Sequence, residues 1–166
     1  MIKGYCAKVG LEGIGTVWIA GANRGICRVE FGEDRRRFLA GLPKDVEWVE
    51  DRARFRGIVA KLKKFAAGKR ANLGKNLDIL SGTPFQRCAW KKIATIPWGE
   101  TRSYAWLARA IGKPSAFRAV ANACGKNPVP IIIPCHRVIS SDGTIGGFSS
   151  GIKLKRIFLK LEGVRF

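Results

Sequence analysis

The sequence predicts an α+β protein in which residues 1–80 form a small α/β domain and residues 81–166 form a mostly helical domain. Three observations lead to this prediction. Two alternating segments between Ile14 and Phe31 are typical of a β-hairpin, several helix-start signals follow Thr83, and the polar, glycine-bearing stretch Gly68–Asn76 lies between them as a linker. A chain of 166 residues with 46% apolar and 26% charged residues can bury a substantial core.

The first half shows strand patterns before its first helix. The segments Thr16–Ala20 and Ile26–Phe31 flank a glycine-bearing turn, and alternation along the second segment puts Cys27 on its inward face. A short helix is predicted at Arg35–Gly41 and an edge strand at Glu47–Val49. Cys27 is therefore predicted to be a core residue.

A strongly basic helix is predicted between residues 52 and 75. This stretch contains nine Lys or Arg residues and no acidic residue. Its apolar residues fall at helical spacing, which gives the helix an inward stripe: Phe55, Ile58, Val59, Leu62 and Phe65. Its basic outer face has two open interpretations, a solvated charged surface or a contact to phosphate groups.

The net charge favours a polyanionic partner. The chain has 31 Lys and Arg residues against 12 Asp and Glu residues, a formal charge of +19. Neutralising phosphates releases counterions and adds affinity, so DNA or RNA is the expected partner. No apolar run has the length of a membrane span, and the N-terminus lacks the pattern of a secretion signal. The prediction is an intracellular, cytoplasmic protein without a membrane partner.

The cysteines do not form a metal-binding or disulfide pattern. There are five, an odd number at scattered spacings without a Cys-x-x-Cys pair, and the chain has one histidine. No metal and no disulfide framework are predicted, although pairing of Cys6 with Cys27 remains open.

A helix is predicted to begin at Thr83-Pro84. Thr83 can cap it, Pro84 suits the first helical position, and Gln86 lies where a capping box places Glu or Gln. Its predicted inward stripe is Phe85, Cys88, Ala89, Ile93 and Ile96.

The next two predicted helices have the outline of a helix-turn-helix. Ser103 can cap a helix that ends near Ile111, and Ser115 can cap a second one from Ala116 to Cys124. The second helix has a core stripe (Phe117, Val120, Cys124), a small-residue face (Ala116, Ala119, Ala123) and a projecting pair (Arg118, Asn122). A small face can approach a nucleic-acid groove closely, and Arg118 could enter the base stack or bind a phosphate. Helix propensity alone is an equal explanation for the alanines.

The stretch Ile131–Ile139 contains the candidate nucleophile. Three isoleucines predict an extended buried segment, and Pro134 ends it immediately before Cys135 and His136. A histidine near a thiol can take its proton and free the thiolate, which is the reactive form. Cysteine also packs often as a small apolar residue, so a structural thiol is the alternative. Asn127, in a rigid Asn-Pro-Val-Pro turn, is placed to hydrogen-bond both flanking elements.

The C-terminal region is predicted to hold a loop and a final helix. Ser140–Gly143 suits a turn, Gly146–Gly151 is too glycine-rich for regular structure, and Ile152–Leu161 has amphipathic spacing. Glu162 follows at the helix C-terminus, where an anion is unfavourable. A partner such as His136 would explain it.

The pentapeptide Pro134–Val138, preceded by Asn127-Pro128-Val129-Pro130 and the helix-turn-helix outline, closely resembles the O6-alkylguanine-DNA alkyltransferases. The resemblance covers about residues 83–163. For the first half it implies a small ribonuclease-H-like α/β domain. It also implies a monomer that repairs double-stranded DNA without a cofactor, moving the alkyl group of O6-alkylguanine, and of O4-alkylthymine, irreversibly to its own cysteine.

The resemblance implies a role for each matching residue. Cys135 would accept the alkyl group after activation through a water by His136, with Glu162 orienting the histidine and Asn127 bracing the turn. The substrate contacts would come from Tyr104, from the backbone at Cys135 and Val138, and from Ser149. The DNA contacts would be Arg118 as the finger that replaces the flipped nucleotide, with Ala116, Ala119, Ser103 and Asn122 around it.

Two other functions remain open from the residues. A cysteine hydrolase using Cys135 and His136 would turn over many times. A helix-turn-helix regulator would bind DNA without catalysis and would not need Cys135. Departures from the family pattern at Phe148 and Ser150 leave the pocket width open.

Overall fold

The computed structural model describes residues 2–79 and 81–166, and it divides into two compact units, Met1–Leu80 and Ser81–Phe166. The predicted α+β class is confirmed, because a mixed β-sheet dominates the first unit and helices dominate the second. Within the described residues, no helix is both long and apolar enough to cross a membrane.

The first unit is a four-stranded sheet with two helices. Its elements are β1 (Ile2–Leu11), β2 (Gly15–Ala22), β3 (Gly25–Phe31), α1 (Arg35–Ala40), β4 (Val46–Glu50) and, after a 3-10 turn, α2 (Arg56–Ala66). The strand order is β3-β2-β1-β4, antiparallel except for the parallel β1–β4 pair. The hairpin, the short helix and the edge strand are confirmed. Strand β1 was not predicted, because Gly4 and Gly10 interrupt its apolar alternation.

Both cysteines of the first unit lie in one apolar core. This first-unit core consists of Cys6, Trp18, Ala20, Cys27, Phe38 and Leu42. The rings of Trp18 and Phe38 stack with centroids 5.2 Å apart. Cys6 and Cys27 are free thiols, so they form no disulfide. The predicted stripe of α2 is largely confirmed, since Phe55, Val59, Leu62 and Phe65 are buried and only Ile58 is partly exposed.

The predicted linker Gly68–Asn76 is in part attached to the sheet. It contains no helix or strand. Its end, however, runs beside β3, where the Ile26 N–H donates to Asn76 O at 2.9 Å and the Asp78 N–H donates to Ile26 O at 2.9 Å. A Cβ on Gly25 would lie 2.3 Å from Asn76 O, so only glycine permits this approach.

The second unit contains four helices and two short strands. They are α3 (Pro84–Ile93), β5 (Arg102–Ser103), α4 (Tyr104–Ala110), α5 (Phe117–Gly125), β6 (Val138–Ile139) and α6 (Ile152–Leu161). Helices α3, α4 and α5 contact one another.

Helix α3 begins as predicted, and Ala89, Ile93 and Ile96 of its predicted inward stripe are buried. Thr83 and Gln86 form the reciprocal capping box. Cys88, predicted to point inward, is exposed, and Trp90 is buried in its place. The Trp90 indole N–H donates to Ala123 O at 2.8 Å. A buried indole needs such a partner, and this contact fixes which side of α3 faces the core.

The predicted faces of α5 are wrong at two positions. Ser115 does not cap the helix, whose N-cap is Ala116 without a side-chain hydrogen bond. Phe117, predicted in the core stripe, is 50% exposed, whereas Ala123, predicted on the small-residue face, is buried. The bond from Trp90 to Ala123 O turns that side of the helix inward.

The segment before Cys135 is buried but is not the predicted strand. Its pairing is limited to an isolated bridge between Pro130 and Ile133. Ile131 adopts φ 70, a left-handed conformation that is costly for a β-branched residue. Pro128 and Pro130 cannot donate to a ladder, so the chain turns here, and Ile133 N–H bonds back to Val129 O at 3.0 Å.

The final helix has the predicted extent, and the segment before it is irregular as predicted. The turn at Ser140–Gly143 is confirmed by the Gly143 N–H, which donates to Ser140 O at 3.1 Å. The buried residues of α6 are Lys155, Phe158 and Leu159.

Candidate active site

A pair of two-residue strands brings the Cys135 motif next to the start of α4. Arg102 pairs with Val138, and Ser103 pairs with Ile139, in parallel. Ser103 also caps α4, since its hydroxyl accepts the Trp106 N–H at 3.0 Å. The first residue of α4, Tyr104, therefore follows directly after the strand that pairs with the end of the motif.

Cys135 is buried and its sulfur is held by Asn127. Cys135 is the first residue of a 3-10 turn that runs to Arg137. The Asn127 Nδ2 group donates to Cys135 Sγ at 3.1 Å and to Ile133 O at 2.8 Å. Its Oδ1 accepts the Val129 N–H at 3.0 Å. The Asn127 side chain thus bonds the turn and the segment after it, including the sulfur itself. Its backbone N–H donates to Cys124 O of α5 at 3.2 Å, so Asn127 bonds both flanking elements as predicted.

His136 and Glu162 form a buried pair. His136 Nε2 lies 2.7 Å from Glu162 Oε1, and both side chains are shielded from solvent. Arg137 Nε donates to Glu162 Oε2 at 2.9 Å, and its Nη1 donates to Ile96 O at 2.5 Å. The Gly99 N–H is the third group bonded to this carboxylate, and its nitrogen lies 3.0 Å from Glu162 Oε2. Glu162 lies at the C-terminal end of α6, where an anion is unfavourable. Its bond to His136 is the partner that explains this position.

These contacts fix the protonation of the pair. Burial raises the pKa of Glu162, but hydrogen bonds from His136, Arg137 and the Gly99 amide outweigh it and lower the pKa to about 2. Burial lowers the pKa of His136 against the opposing effect of Glu162. Because an ionised carboxylate only accepts, the His136 proton lies on Nε2, and Nδ1 is the basic nitrogen.

The Cys135 thiol is neutral at neutral pH. Burial raises its pKa to about 11, while the Asn127 hydrogen bond and the charge of Lys155 act in the opposite direction. Any reaction of this sulfur therefore has to include removal of its proton.

Lys155 is a fully buried cation beside this sulfur. Its Nζ donates to Val138 O at 2.6 Å and to Gly147 O at 3.0 Å. Burial lowers its pKa to about 8, although the nearby Cys135 and Cys124 sulfurs oppose this shift. Lys155 thus ties the end of the cysteine motif to the glycine-rich loop.

Tyr104 contacts the same loop. Its hydroxyl donates to Gly147 O at 3.4 Å, and its ring centroid lies 5.8 Å from Lys155 Nζ. Burial raises the pKa of Tyr104 to about 12, so the phenol stays protonated and can donate. A Cβ on Gly146 would lie 3.1 Å from the Tyr104 ring, and Gly146 has φ 71, so glycine is required at this close approach.

Most of the residues predicted to contact DNA are exposed, whereas Ser103, which caps α4, is half-buried. Arg118, Ala119 and Asn122 of α5 are exposed, and Ala116 is half-buried. Phe117 joins them, with its ring centroid 5.9 Å from the Arg118 guanidinium carbon. Ser149 is exposed in the Gly146–Gly151 loop. Within residues 2–79 and 81–166, no three His, Cys, Asp or Glu side chains are grouped so that they could hold a metal ion.

Comparisons with known proteins identify the family. Residues 84–164 match the family model described as 6-O-methylguanine DNA methyltransferase, DNA binding domain. A Methanosarcina barkeri protein named methylated-DNA–protein-cysteine methyltransferase is 42% identical over 149 residues, which cover 90% of this chain and 91% of that protein. The chain belongs to the methylated-DNA–protein-cysteine methyltransferase family. The resemblance carried by the Pro134–Val138 pentapeptide is thus confirmed.

Solved structures of methyltransferases show the same similarity over almost the whole chain. The crystal structure of Mycobacterium tuberculosis OGT in complex with DNA is 38% identical, with a TM-score of 0.83 over 95% of this chain and 92% of that chain. The O6-methylguanine-DNA methyltransferase of Pyrococcus kodakaraensis is 26% identical, with a TM-score of 0.72 over 97% and 99%. The similarity therefore includes the first unit, which the sequence resemblance over residues 83–163 did not cover.

Two residues of this methyltransferase site were missed from the sequence. Arg137 lies inside the Pro134–Val138 pentapeptide, next to His136. This position could have indicated that it binds the same Glu162 carboxylate as His136. Lys155 gave no signal, because a lysine on an amphipathic helix is expected to face solvent.

Proposed function

We propose that this chain repairs DNA by transferring the alkyl group of O6-alkylguanine, and of O4-alkylthymine, to Sγ of its own Cys135. The observation that carries the proposal is the buried thiol held by Asn127, adjacent in sequence to a histidine whose Nε2 is fixed by Glu162. Methyltransferase relatives across almost the whole chain support the same reaction.

The proposed reaction begins with the thiol proton. Glu162 holds Nε2, so the proton leaves Cys135 through a water and enters His136 at Nδ1. The Asn127 N–H stabilises the resulting thiolate, and the Lys155 charge does so electrostatically. The sulfur then attacks the alkyl carbon, an S–C bond forms and the C–O bond to guanine breaks. The bonding electrons remain on the base.

The leaving guanine is stabilised by the residues around it. Tyr104 donates a hydrogen bond to the ring as negative charge develops, and Ser149 contacts the oxygen that loses its alkyl group. The carbonyls of Cys135 and Val138 accept from the exocyclic amine. Val138 O already accepts from Lys155 and still has a second lone pair. The product thioether is stable to water, so each molecule acts once, as a monomer and without a cofactor.

Access to the damaged atom requires that the nucleotide leaves the duplex. We propose α4 and α5 as the helix-turn-helix that performs this step. Arg118 fills the gap, while Ala116, Ala119 and Asn122 lie along the groove. Ser103 can still donate its hydroxyl proton to a phosphate while it accepts from Trp106. The exposed Phe117 widens the apolar surface beside Arg118.

Two further assignments belong to the same proposal. The mixed four-stranded sheet of the first unit, with a parallel edge strand, supports a ribonuclease-H-like α/β domain, and the unit boundary supports domains of residues 1–80 and 81–166. A protein that acts on genomic DNA is proposed to work inside the cell, in the cytoplasm.

Intact-mass spectrometry after incubation with excess methylated-guanine duplex tests the function. We expect the wild type and Cys88→Ser, a change at an exposed thiol of the same unit, to gain the mass of one methyl group at Cys135. Cys135→Ala should gain none and still bind DNA. Repair of more than one guanine per protein molecule would instead indicate a hydrolase. Repair by Cys135→Ala, or no methyl transfer by the wild type, would also overturn the proposal.

A further inference from the structure

The first unit contains a cleft that the proposed reaction does not use. Its volume is about 470 Å³, and it lies between the β2–β3 turn, the start of α2 and the segment 73–77. One wall therefore comes from the basic stretch 52–75, whose outer face had two open interpretations from the sequence.

The charged side chains lining the cleft are all cationic. They are Arg54, Lys61 and Lys75, and none of the described lining residues is acidic. The Arg54 guanidinium stacks on the Tyr5 ring at 3.7 Å, and its Nε lies 3.3 Å from Asp51 Oδ2. Lys61 and Lys75 are exposed, and in the described part of the chain neither forms an ion pair with a carboxylate. Two ammonium groups at the cleft are thus available to an anion.

The remaining lining favours phosphate over a base. Glycines at 21, 25, 57 and 74 expose backbone along the walls, and the amides of Asn23 and Asn76 add possible donors. The face of Tyr5 that could stack on a base is covered by Arg54. Contacts of this kind bind the sugar-phosphate backbone without reading sequence.

We propose that this cleft is a second DNA-binding site, at which Lys61 and Lys75 contact backbone phosphates. The site goes beyond the proposed alkyl transfer, because it involves no residue of the second unit. It assigns a function to the basic face of α2, namely sequence-independent affinity for the DNA on which the protein acts.

The test compares two double variants of the full chain that lose the same charge. Lys61→Gln/Lys75→Gln removes the cleft lysines, whereas Lys63→Gln/Lys69→Gln removes two exposed lysines of the same stretch that do not line the cleft. Binding to a long unmodified duplex is measured at several salt concentrations. The slope of log K against log salt is negative, and each lost phosphate contact makes it less steep by about 0.9. The slope of the cleft variant should therefore be less steep than that of the wild type by about 1.8, and the slope of the control variant should change much less.

A third variant adds a charge without removing a contact. A Cβ at Gly57 meets nothing within 4 Å, and an acid is favourable near the start of a helix, so Gly57→Glu should fold normally. It should weaken DNA binding while thermal unfolding is unchanged.

Equal slopes for the two double variants would overturn the proposal. The proposal would also be overturned if, at matched ionic strength, inorganic phosphate protected Lys61 and Lys75 from acetylation and DNA did not. Methyl transfer to Cys135 in the same samples reports separately on the proposed function.

Discussion

The first-unit core and the Cys135 site each bury a cysteine whose pKa is raised to about 11, mainly by burial. Their surroundings differ. Charged groups act on both thiols, Asp78 and Arg28 on Cys27 and Lys155 on Cys135. Cys27, however, lies among Trp18, Phe38 and other apolar groups, whereas the Cys135 sulfur accepts a hydrogen bond from Asn127. A raised thiol pKa therefore does not distinguish a nucleophile from a packing residue. What distinguishes them is the set of buried polar groups that can take the proton and stabilise the sulfur anion.

The largest effect should follow from removing the proposed proton acceptor. In His136→Gln the side-chain amide can still donate to Glu162, but it has no basic nitrogen. We expect the single-turnover rate of methyl transfer to fall by about 10² to 10⁴, the usual contribution of general acid–base catalysis. Rapid-quench measurement with methylated-guanine duplex checks this rate. A variant as fast as the wild type would show that the thiol loses its proton by another route.

Removing Glu162 should cost the most stability. Glu162→Ala leaves His136 and Arg137 without their buried carboxylate, and losing one partner of a buried pair costs about 3–5 kcal/mol. Glu100→Ala is the matched control, because Glu100 pairs with Arg102 at an exposed site, where such pairs contribute about 0–1 kcal/mol. Urea unfolding gives both free energies, and equal losses would contradict the structural role assigned to the buried pair.

Much of this site could be predicted from sequence because its signals are local. The Pro134–Val138 motif, the Thr83 and Ser103 caps and the Asn127 turn each depend on residues within a few positions of one another. Tertiary contacts decided the rest. The bond from Trp90 to Ala123 O sets which side of α5 is buried, which no periodicity within α5 alone could show.

Lys155 illustrates a different limit of sequence reasoning. The buried ammonium is stabilised by Val138 O and Gly147 O, which both lie outside α6 and accept hydrogen bonds from it. Ile131 is comparable, since its left-handed backbone is held by the turn around it and opposes the preference of a β-branched residue.

The Lys155 charge allows a pH-dependent test of how the surroundings of Cys135 differ from those of Cys27. Lys155→Met should slow methyl transfer roughly tenfold, or about 1.4 kcal/mol, by removing the cation near the sulfur and the tie between Val138 and Gly147. Because burial lowers the Lys155 pKa to about 8, the wild type itself loses this charge as pH rises through 8. The ratio of wild-type to variant rates should therefore be largest below pH 8 and smaller above it. Lys153→Met, at an exposed lysine of the same helix, is the control. A ratio that does not change between pH 7 and 9 would argue for a purely structural lysine.

The smallest effect is expected in the first-unit core. Cys27→Ala removes a buried sulfur from an apolar cluster, so unfolding should become easier by about 1 kcal/mol, a typical cost for a single core change. Methyl transfer should keep its wild-type rate, because Cys27 has neither an amide donor like Asn127 nor a histidine partner in the described contacts of its unit. Urea unfolding and single-turnover transfer on the same preparation separate the two effects. If transfer fell while stability did not, the polar surroundings of Cys135 would no longer suffice to explain why that thiol, among the buried cysteines, reacts.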